Sequence, residues 1–139
     1  MKKIMIMLII MNISANASFS RSSVGIVTDS LTKLQWQDDT IGTTINWTGA
    51  ISRCEALTLG GFSDWRLPNI KELQSIVDDT KANPAIVTAF VNTANNLYWS
   101  STTSNNSSTV VWFIYFGYGN TYRYDKYFSY YVRCVRAGQ

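Results

Sequence analysis

Few residues of this sequence could carry out catalysis or bind a metal. The 139-residue chain has two cysteines and no histidine, which excludes serine–histidine and cysteine–histidine hydrolase sites and removes the commonest nitrogen ligand of zinc. Two pairs of adjacent carboxylates, Asp38-Asp39 and Asp78-Asp79, could bind calcium or catalyse glycoside hydrolysis. Solvated acids in turns are the commoner explanation of such pairs, and we favour it here. The sequence therefore predicts no catalytic residue, no metal and no cofactor.

The beginning of the chain has the three-part pattern of a cleaved secretory signal. Lys2 and Lys3 precede an apolar run over residues 4–11, and the small-residue motif Ala15-Asn16-Ala17 follows. A retained membrane anchor is the alternative, but the run is well short of the ~20 apolar residues that span a bilayer. We predict a signal peptide over 1–17, a single domain over 18–139, no membrane insertion after cleavage, and a secreted, periplasmic or cell-surface location.

Both cysteines, Cys54 and Cys134, lie in the part of the chain that is predicted to be exported. An even number of cysteines in an oxidising compartment predicts a disulfide. A redox-active or nucleophilic thiol is the alternative. It is disfavoured because no second cysteine lies nearby in the sequence and no histidine could activate the thiol.

The most unusual stretch covers residues 115–131 and reads YFGYGNTYRYDKYFSYY, in which nine of seventeen residues are aromatic and seven are tyrosine. Each buried phenol would need a hydrogen-bond partner. Tyrosine mixed with Ser, Asn, Gly and Asp is instead typical of antibody-like contact surfaces. A tyrosine-rich hairpin that only covers the sheet is the alternative. We predict ligand contacts from this segment and the polar stretch before it, at Asn105, Asn106, Ser107, Tyr118, Asn120, Tyr122, Arg123, Tyr124, Asp125, Lys126, Tyr127 and Tyr130.

Charge is distributed unevenly along the chain. Without Lys2 and Lys3 the formal charge falls from +3 to 3 − 2 = +1, which is too small to indicate nucleic acid as a partner. Residues 80–139 nevertheless carry five Lys or Arg against one Asp or Glu. An adhesin that recognises acidic or sulfated polysaccharide through Arg123 and Lys126 is therefore an alternative function.

Helical periodicity is confined to the first part of the predicted domain. Apolar residues recur at helical spacing after Asn46, a predicted N-cap, and Gly60-Gly61 supplies a stop. Asn69 followed by Glu72 resembles a capping box that opens a second helix. A short third helix is predicted over residues 84–90, with proline at its first position.

Strand patterns fill the remainder and predict an α+β fold. Residues 24–39 predict two short strands or a hairpin, and further strands are expected at 97–101, 110–116 and 131–136. A polar loop is expected over 102–109, and the glycines of 117–120 suit a chain reversal. The disulfide would then join the first helix to the last strand. Core positions are expected for four tryptophans, Trp36, Trp47, Trp99 and Trp112.

Five segments carry a family resemblance: LQWQ, WTGAISRCEAL, GGFSDWRLPNIKELQSIVD, YWSST and YVRCVR. They are similar to the C-terminal domain of the Legionella collagen-like protein and its bacterial relatives. The resemblance extends from about Asp29 to Arg136 and departs from the usual Thr-Gly-Leu at Thr32-Lys33-Leu34. The departure leaves the geometry of that turn open.

The resemblance implies a C-type-lectin-like fold of the formylglycine-generating-enzyme type, with two main helices packed on a twisted antiparallel sheet and a disulfide from helix to last strand. It implies binding to a cell-surface protein or glycan rather than catalysis, in a family that includes hypervariable products of diversity-generating retroelements. A carbohydrate-active or oxidative enzyme is the outlying alternative, and the only two cysteines are assigned to the disulfide. Calcium-dependent sugar binding is not supported, because Leu67-Pro68-Asn69 lacks the acidic residue of the lectin tripeptide.

The segment DWRLPN lies between the two predicted helices. A ligand site is one reading, but a buried tryptophan with an arginine and an aspartate that fix the loop is the more common arrangement. We therefore expect a structural role for the six positions Asp64, Trp65, Arg66, Pro68, Asn69 and Glu72.

Overall fold

The computed structural model describes residues 16–138. Residues 1–15 of the predicted signal peptide lie outside the described residues. Over the described range, the helices are all too short or too polar to cross a membrane.

Two helices and seven strands form the domain, arranged in two antiparallel sheets. The four-stranded sheet has the order β1-β2-β3-β7 and the three-stranded sheet the order β4-β5-β6. The α+β prediction is confirmed, whereas the single sheet was wrong. In chain order the elements are β1 Phe19–Arg21, β2 Ile26–Asp29, β3 Leu34–Gln37, α1 Trp47–Glu55, α2 Ile70–Ser75, β4 Leu97–Ser104, β5 Ser107–Tyr115, β6 Asn120–Asp125 and β7 Val135–Ala137.

The predicted hairpin near the start of the domain is β2 and β3. Its turn is fixed by the buried carboxylate of Asp29, which accepts hydrogen bonds from the N–H of Leu31 at 2.8 Å and the hydroxyl of Thr32 at 2.7 Å. Lys33 closes the turn with a φ of 63°, in the left-handed region that favours glycine. The turn therefore keeps a geometry suited to glycine although lysine occupies the position.

Both predicted N-caps are present. The side chain of Asn46 accepts a hydrogen bond from Gly49 N at the start of α1, and Asn69 and Glu72 form a capping box at the start of α2. The predicted end of the first helix at Gly60-Gly61 was wrong, because α1 ends at Glu55. The two glycines instead have φ values of 63° and 81° and form the turn of a small bridge that follows the helix.

The predicted third helix over 84–90 is also wrong. The N–H of Ala85 donates to Phe116 O at 2.7 Å, and Ile86 forms a β-bridge with Val77. These backbone groups are bonded to a neighbouring segment, so they cannot form the local hydrogen bonds of a helix.

The polar stretch 102–109 was predicted as a loop, but it forms the end of the β4–β5 hairpin, with strand residues on both sides of a turn at Asn105-Asn106. Its serines and threonines are compatible with strand geometry, and the pairing of β4 with β5 stabilises a strand conformation that the apolar pattern did not predict. The last strand is shorter and later than expected, at Val135–Ala137. Before it, Tyr131 pairs with Tyr98 only through an isolated parallel bridge.

Two core clusters lie on opposite faces of the three-stranded sheet. One contains Trp65, Trp99, Phe113 and the disulfide, and the other contains Trp36 with residues of α2. The disulfide Cys54–Cys134 joins α1 to the residue before β7, which confirms the predicted pairing. Burial of all four tryptophans was only partly correct, since Trp36 and Trp99 are fully buried whereas Trp47 and Trp112 are half-buried.

The closing segment is held by buried arginines. Arg133 donates to Asp38 Oδ1 at 2.8 Å, and Arg136 donates to Asp64 Oδ1 at 2.6 Å. Asp38 is therefore not a solvated turn acid as expected, because its partner lies 95 residues away in the sequence and no local pattern indicates it. Asp39, its neighbour, is exposed.

The remaining residues of the DWRLPN segment fix the loop between the helices. Trp65 is buried and donates its indole N–H to Phe62 O at 3.1 Å. Arg66 forms two bonds of 2.7 Å with the carboxylate of Glu72, and Pro68 O accepts from Ser101 N at 2.8 Å. These contacts bind the loop to α2 and β4.

Candidate ligand-binding surface

The tyrosine-rich segment lies at the edge of the three-stranded sheet. β6 pairs with β5 on one side only, in a register that sets Tyr122 opposite Phe113 and Tyr124 opposite Val111. Residues directly opposite one another project from the same face. Tyr122 and Tyr124 therefore lie on the same face of the sheet as Phe113, which belongs to a core cluster. They continue that face to the solvent-exposed edge of the sheet.

We name the exposed part of this face, with the turn that follows β6, the aromatic surface; it comprises Tyr122, Tyr124, Tyr127, Phe128 and Tyr130. The exposed fractions are 46% for Tyr122, 55% for Tyr124, 89% for Tyr127 and 48% for Phe128. A core role for these four rings is therefore excluded.

Two grooves border the aromatic surface. The first has a volume of about 470 Å³ and is lined by Asn96, Leu97, Phe113, Tyr115, Tyr122, Arg123, Tyr124 and Tyr130. The second has a volume of about 660 Å³ and is lined by Val110, Arg123, Tyr124, Asp125, Tyr127 and Phe128. Because Arg123 and Tyr124 border both, the grooves form neighbouring parts of one surface.

The rings of the aromatic surface are braced by one another and by the core. Tyr130 packs against Trp99 and Phe113, with ring centroids 4.7 Å and 5.2 Å away, and Phe128 lies 5.2 Å from Tyr124. Tyr130 is thus half-buried rather than fully outward as expected, and this burial raises the pKa of its phenol, with a further rise from Tyr124. The packing limits how far the exposed rings can rotate.

Charged side chains contribute less to the surface than the sequence suggested. Lys126 donates from Nζ to Ser108 O at 2.5 Å and lies 4.0 Å from the Trp47 ring centroid. Asp125 Oδ1 accepts from Tyr127 N at 2.9 Å. Two of the five basic residues of the second half, Arg133 and Arg136, are buried with carboxylates of the first half. These two positive charges are therefore neutralised within the fold and are not available to a ligand.

Arg123 projects from the opposite face of β6. Its register partner is Trp112, and its guanidinium lies 5.5 Å from that ring's centroid. It is exposed, and it forms no ion pair with the carboxylates of residues 16–138. Arg123 can therefore meet a ligand or a partner at the strand edge, whereas Lys126 is already engaged.

Five other predicted contact residues lie away from the centre of the aromatic surface. Asn105, Asn106 and Ser107 form the tip of the β4–β5 hairpin, and Asn105 lines a separate groove beside α2. Tyr118 and Asn120 lie at the other end of β6, where Tyr118 packs 5.7 Å from Tyr115. The structure thus brings Tyr122, Tyr124, Tyr127 and Tyr130 together and leaves these five at the periphery.

Sequence reasoning missed Phe128 and the groove walls formed by Asn96, Leu97 and Val110. Phe128 lies inside the tyrosine-rich segment, but it was not among the residues predicted to contact a ligand. Leu97 lies in β4, Val110 lies in β5 and Asn96 directly precedes β4, and only the strand register brings them beside β6. For the described part of the chain, no group of three or more His, Cys, Asp or Glu residues is arranged to hold a metal ion.

A known protein family matches most of this chain. Residues 25–136 match the family described as the Lcl C-terminal domain, a range that includes α1, α2, the disulfide and the whole of β6. A comparison with curated proteins gives no match. The match covers most of the 139 residues, and the chain therefore belongs to the Lcl C-terminal domain family.

Proposed function

We propose that this chain is an exported, non-catalytic domain of the adhesin or receptor type, which binds a cell-surface protein or glycan through the aromatic surface. The observation that carries the proposal is the exposure of Tyr122, Tyr124 and Tyr127 next to two adjoining grooves. Exposed apolar patches rimmed by polar groups commonly mark interaction sites. Family membership supports a surface-type domain, and the C-type-lectin-like architecture stays a prediction from the resemblance.

The chemistry of the surface suits recognition. A tyrosine ring offers contact area at a low cost in side-chain entropy, and its hydroxyl remains available for hydrogen bonds. Such rings stack on sugar rings and also pack against protein side chains, which accords with either ligand class. A non-catalytic function is in keeping with a sequence that lacks histidine and with two cysteines that are joined in a disulfide.

Binding to acidic or sulfated polysaccharide through Arg123 and Lys126 is the less favoured alternative. Lys126 is bonded to Ser108 and stacked on Trp47, so engaging a sulfate would require these contacts to break. Binding that weakens steeply with salt would support this alternative, since exposed charges are screened at high ionic strength.

Diversification by a retroelement is a further part of the proposal. The exposed positions Tyr122, Tyr124 and Tyr127 are of the residue types that adenine-directed mutagenesis produces in the related hypervariable proteins. A near-copy of the coding segment beside a reverse-transcriptase gene, differing at template adenines, would support it. A locus without such a copy would leave diversification unsupported.

The proposed function can be tested with the fluorescently labelled domain on a glycan array and on intact cells. We expect Tyr122→Ala and Tyr127→Ala to lower binding at least about tenfold, which is the scale of an interface residue worth 1.4 kcal/mol. Leu31→Ala, a change of an exposed apolar residue distant in sequence, is the control and should bind as the parent does. Undiminished binding by both tyrosine variants would refute the role of the aromatic surface.

A further inference from the structure

The outer edge of β6 is unpaired among the described residues, because β6 is the last strand in the order β4-β5-β6. Over six residues, Asn120–Asp125, such a strand presents roughly 20 Å of backbone. An edge of this kind can pair with a strand of another chain. The side chains along the edge determine which strand fits.

One hydrogen bond shows which residues of β6 direct their backbone N–H and C=O groups towards β5 and which direct them away from it. Lys126 N donates to Thr109 O at 3.0 Å, and the inward and outward directions alternate along an antiparallel strand. Tyr122 and Tyr124 therefore direct their backbone groups towards β5. Arg123 and Asp125 direct their N–H and C=O groups away from β5, towards any strand that pairs with the edge.

We propose that β6 pairs with β6 of a second copy of this chain, antiparallel and across a two-fold axis at Tyr124. In this register Arg123 of each copy lies opposite Asp125 of the other. The two residues exchange backbone hydrogen bonds because both direct them outward, and their opposite charges meet on one face. The contact is isologous, as closed two-fold dimers require.

Charge decides between this register and its neighbours. Only registers that align outward-directed residues are possible, so the axis can move to Tyr122, Arg123 or Asp125 but not to a point between residues. An axis at Arg123 would bring two like guanidinium groups together, and an axis at Asp125 would bring two carboxylates together, both of which are destabilising. An axis at Tyr122 would set Arg123 against the uncharged Thr121. The axis at Tyr124 alone among these four forms two ion pairs.

The same register joins the aromatic surfaces of the two copies. Tyr124 lies opposite its own copy, and Tyr122 and Tyr124 project from one face of β6. The second groove of each copy, which Tyr124 borders, would adjoin that of the other. The dimer would therefore present a double-width surface to a ligand, although the pairing itself does not depend on ligand binding.

Two variants of the full domain, each with one cysteine introduced beside the native Cys54–Cys134 disulfide, test the register. In an antiparallel pair that is not hydrogen-bonded, Cα atoms lie about 4.5 Å apart, which falls within the range of disulfides. Tyr124→Cys should therefore cross-link into a covalent dimer on non-reducing gels. Tyr122→Cys is the matched control: it is similarly exposed, but the register places the two copies of position 122 about 13 Å apart.

Cross-linking of Tyr124→Cys with little for Tyr122→Cys would support the proposal. Equal cross-linking of both variants, or of neither, would overturn it. Cross-linking only when the two variants are mixed would move the axis to Arg123 and also overturn the proposed register. Circular dichroism of each variant identifies a failure to fold.

A charge exchange gives an independent test by sedimentation equilibrium. Arg123→Asp places like charges opposite each other and should weaken dimerisation at least tenfold, whereas Arg123→Asp combined with Asp125→Arg restores opposite charges and should recover it. A monomeric parent at submillimolar concentration, or a double variant no better than the single one, would overturn the proposal. Because Tyr122 and Tyr127 are unchanged in these variants, ligand binding can be scored separately.

Discussion

Asp38 illustrates how one buried side chain can organise distant parts of the chain. Its carboxylate is fully buried and accepts hydrogen bonds from Arg133, Arg21 and the backbone N–H groups of Val91 and Asn92. Burial alone would raise the pKa of Asp38, but the hydrogen bonds from Val91, Arg21 and Arg133 outweigh it and the pKa is lowered. The sequence indicates none of this, because four of the contacts come from other segments.

Replacing Asp38 should be far more damaging than replacing its neighbour. In Asp38→Asn the buried guanidinium of Arg133 loses its counter-charge, and we expect the free energy of unfolding to fall by about 3–5 kcal/mol. Asp39→Asn, an exposed control, should change it by less than about 0.5 kcal/mol. Urea denaturation measures both, and equal effects of the two changes would contradict the assigned role.

The same carboxylate should make stability depend on pH. The pKa of Asp38 in the folded state is below its ordinary value of 3.8, so its contribution is present above about pH 4 and is lost as the pH falls through the folded pKa. Asp64 and Glu72 also have lowered pKa values and act in the same direction. Thermal melts from pH 7 to pH 2.5 should show a decline below about pH 4 that is shallower in Asp38→Asn.

Lys33 is a position where the chain accepts strain. A residue with a side chain costs about 1–2 kcal/mol in the left-handed region. Substitution by glycine removes this cost, but glycine also raises the conformational entropy of the unfolded chain, which offsets part of the gain in stability. With φ at 63°, Lys33→Gly should raise the free energy of unfolding by about 0.5–1 kcal/mol. Lys33→Ala removes the same side chain without relieving the backbone, and a gain as large as that of glycine would contradict this explanation.

At the scale of elements, features determined by residues close in sequence could be predicted, whereas features determined by pairing with distant residues could not. The caps at Asn46 and Asn69 were predictable because an asparagine oxygen bonds to a backbone N–H two or three residues ahead. The residues 84–90 were wrongly predicted as a helix because the pairing of Ala85 with Phe116 decides their conformation. The exposure of the tyrosine-rich segment could be predicted from its composition, but the strand register that separates Tyr122 from Arg123 could not.

The short helix α2 depends on its cap more than a longer helix would. It has six residues, and a helix of that length is marginal without tertiary contacts and end stabilisation. Asn69→Ala removes the acceptor for Glu72 N, and the free energy of unfolding should fall by about 1 kcal/mol. Asn95→Ala, an exposed control, should have little effect in the same denaturation series, and a comparable loss would argue against capping as the cause.

At the scale of the molecule, links between the two ends of the domain enclose the segment that carries the aromatic surface. β7 pairs with β3, the disulfide joins Cys134 to α1, and Arg136 pairs with Asp64. The chain therefore leaves the four-stranded sheet after β3 and returns to it at β7. The three-stranded sheet is formed by the part of the chain between β3 and β7.

Removing the disulfide should weaken the link between the two ends of the domain and destabilise the fold. The bond spans 80 residues, and replacing both cysteines by alanine should lower the free energy of unfolding by about 2–5 kcal/mol. A denaturation series on the double variant tests this against the reduced parent, which should lose a similar amount. A double variant as stable as the oxidised parent would show that the ion pairs and β7 suffice.

The links between the two ends of the domain do not involve β6. This strand is hydrogen-bonded to β5 alone, and its outer edge faces solvent. Codons for Tyr122, Tyr124 and Tyr127 can therefore be randomised without disturbing the ion pairs or the disulfide. Libraries built on this chain and displayed on phage would explore many specificities on one unchanged framework. The domain is in this sense a natural template for engineered affinity reagents.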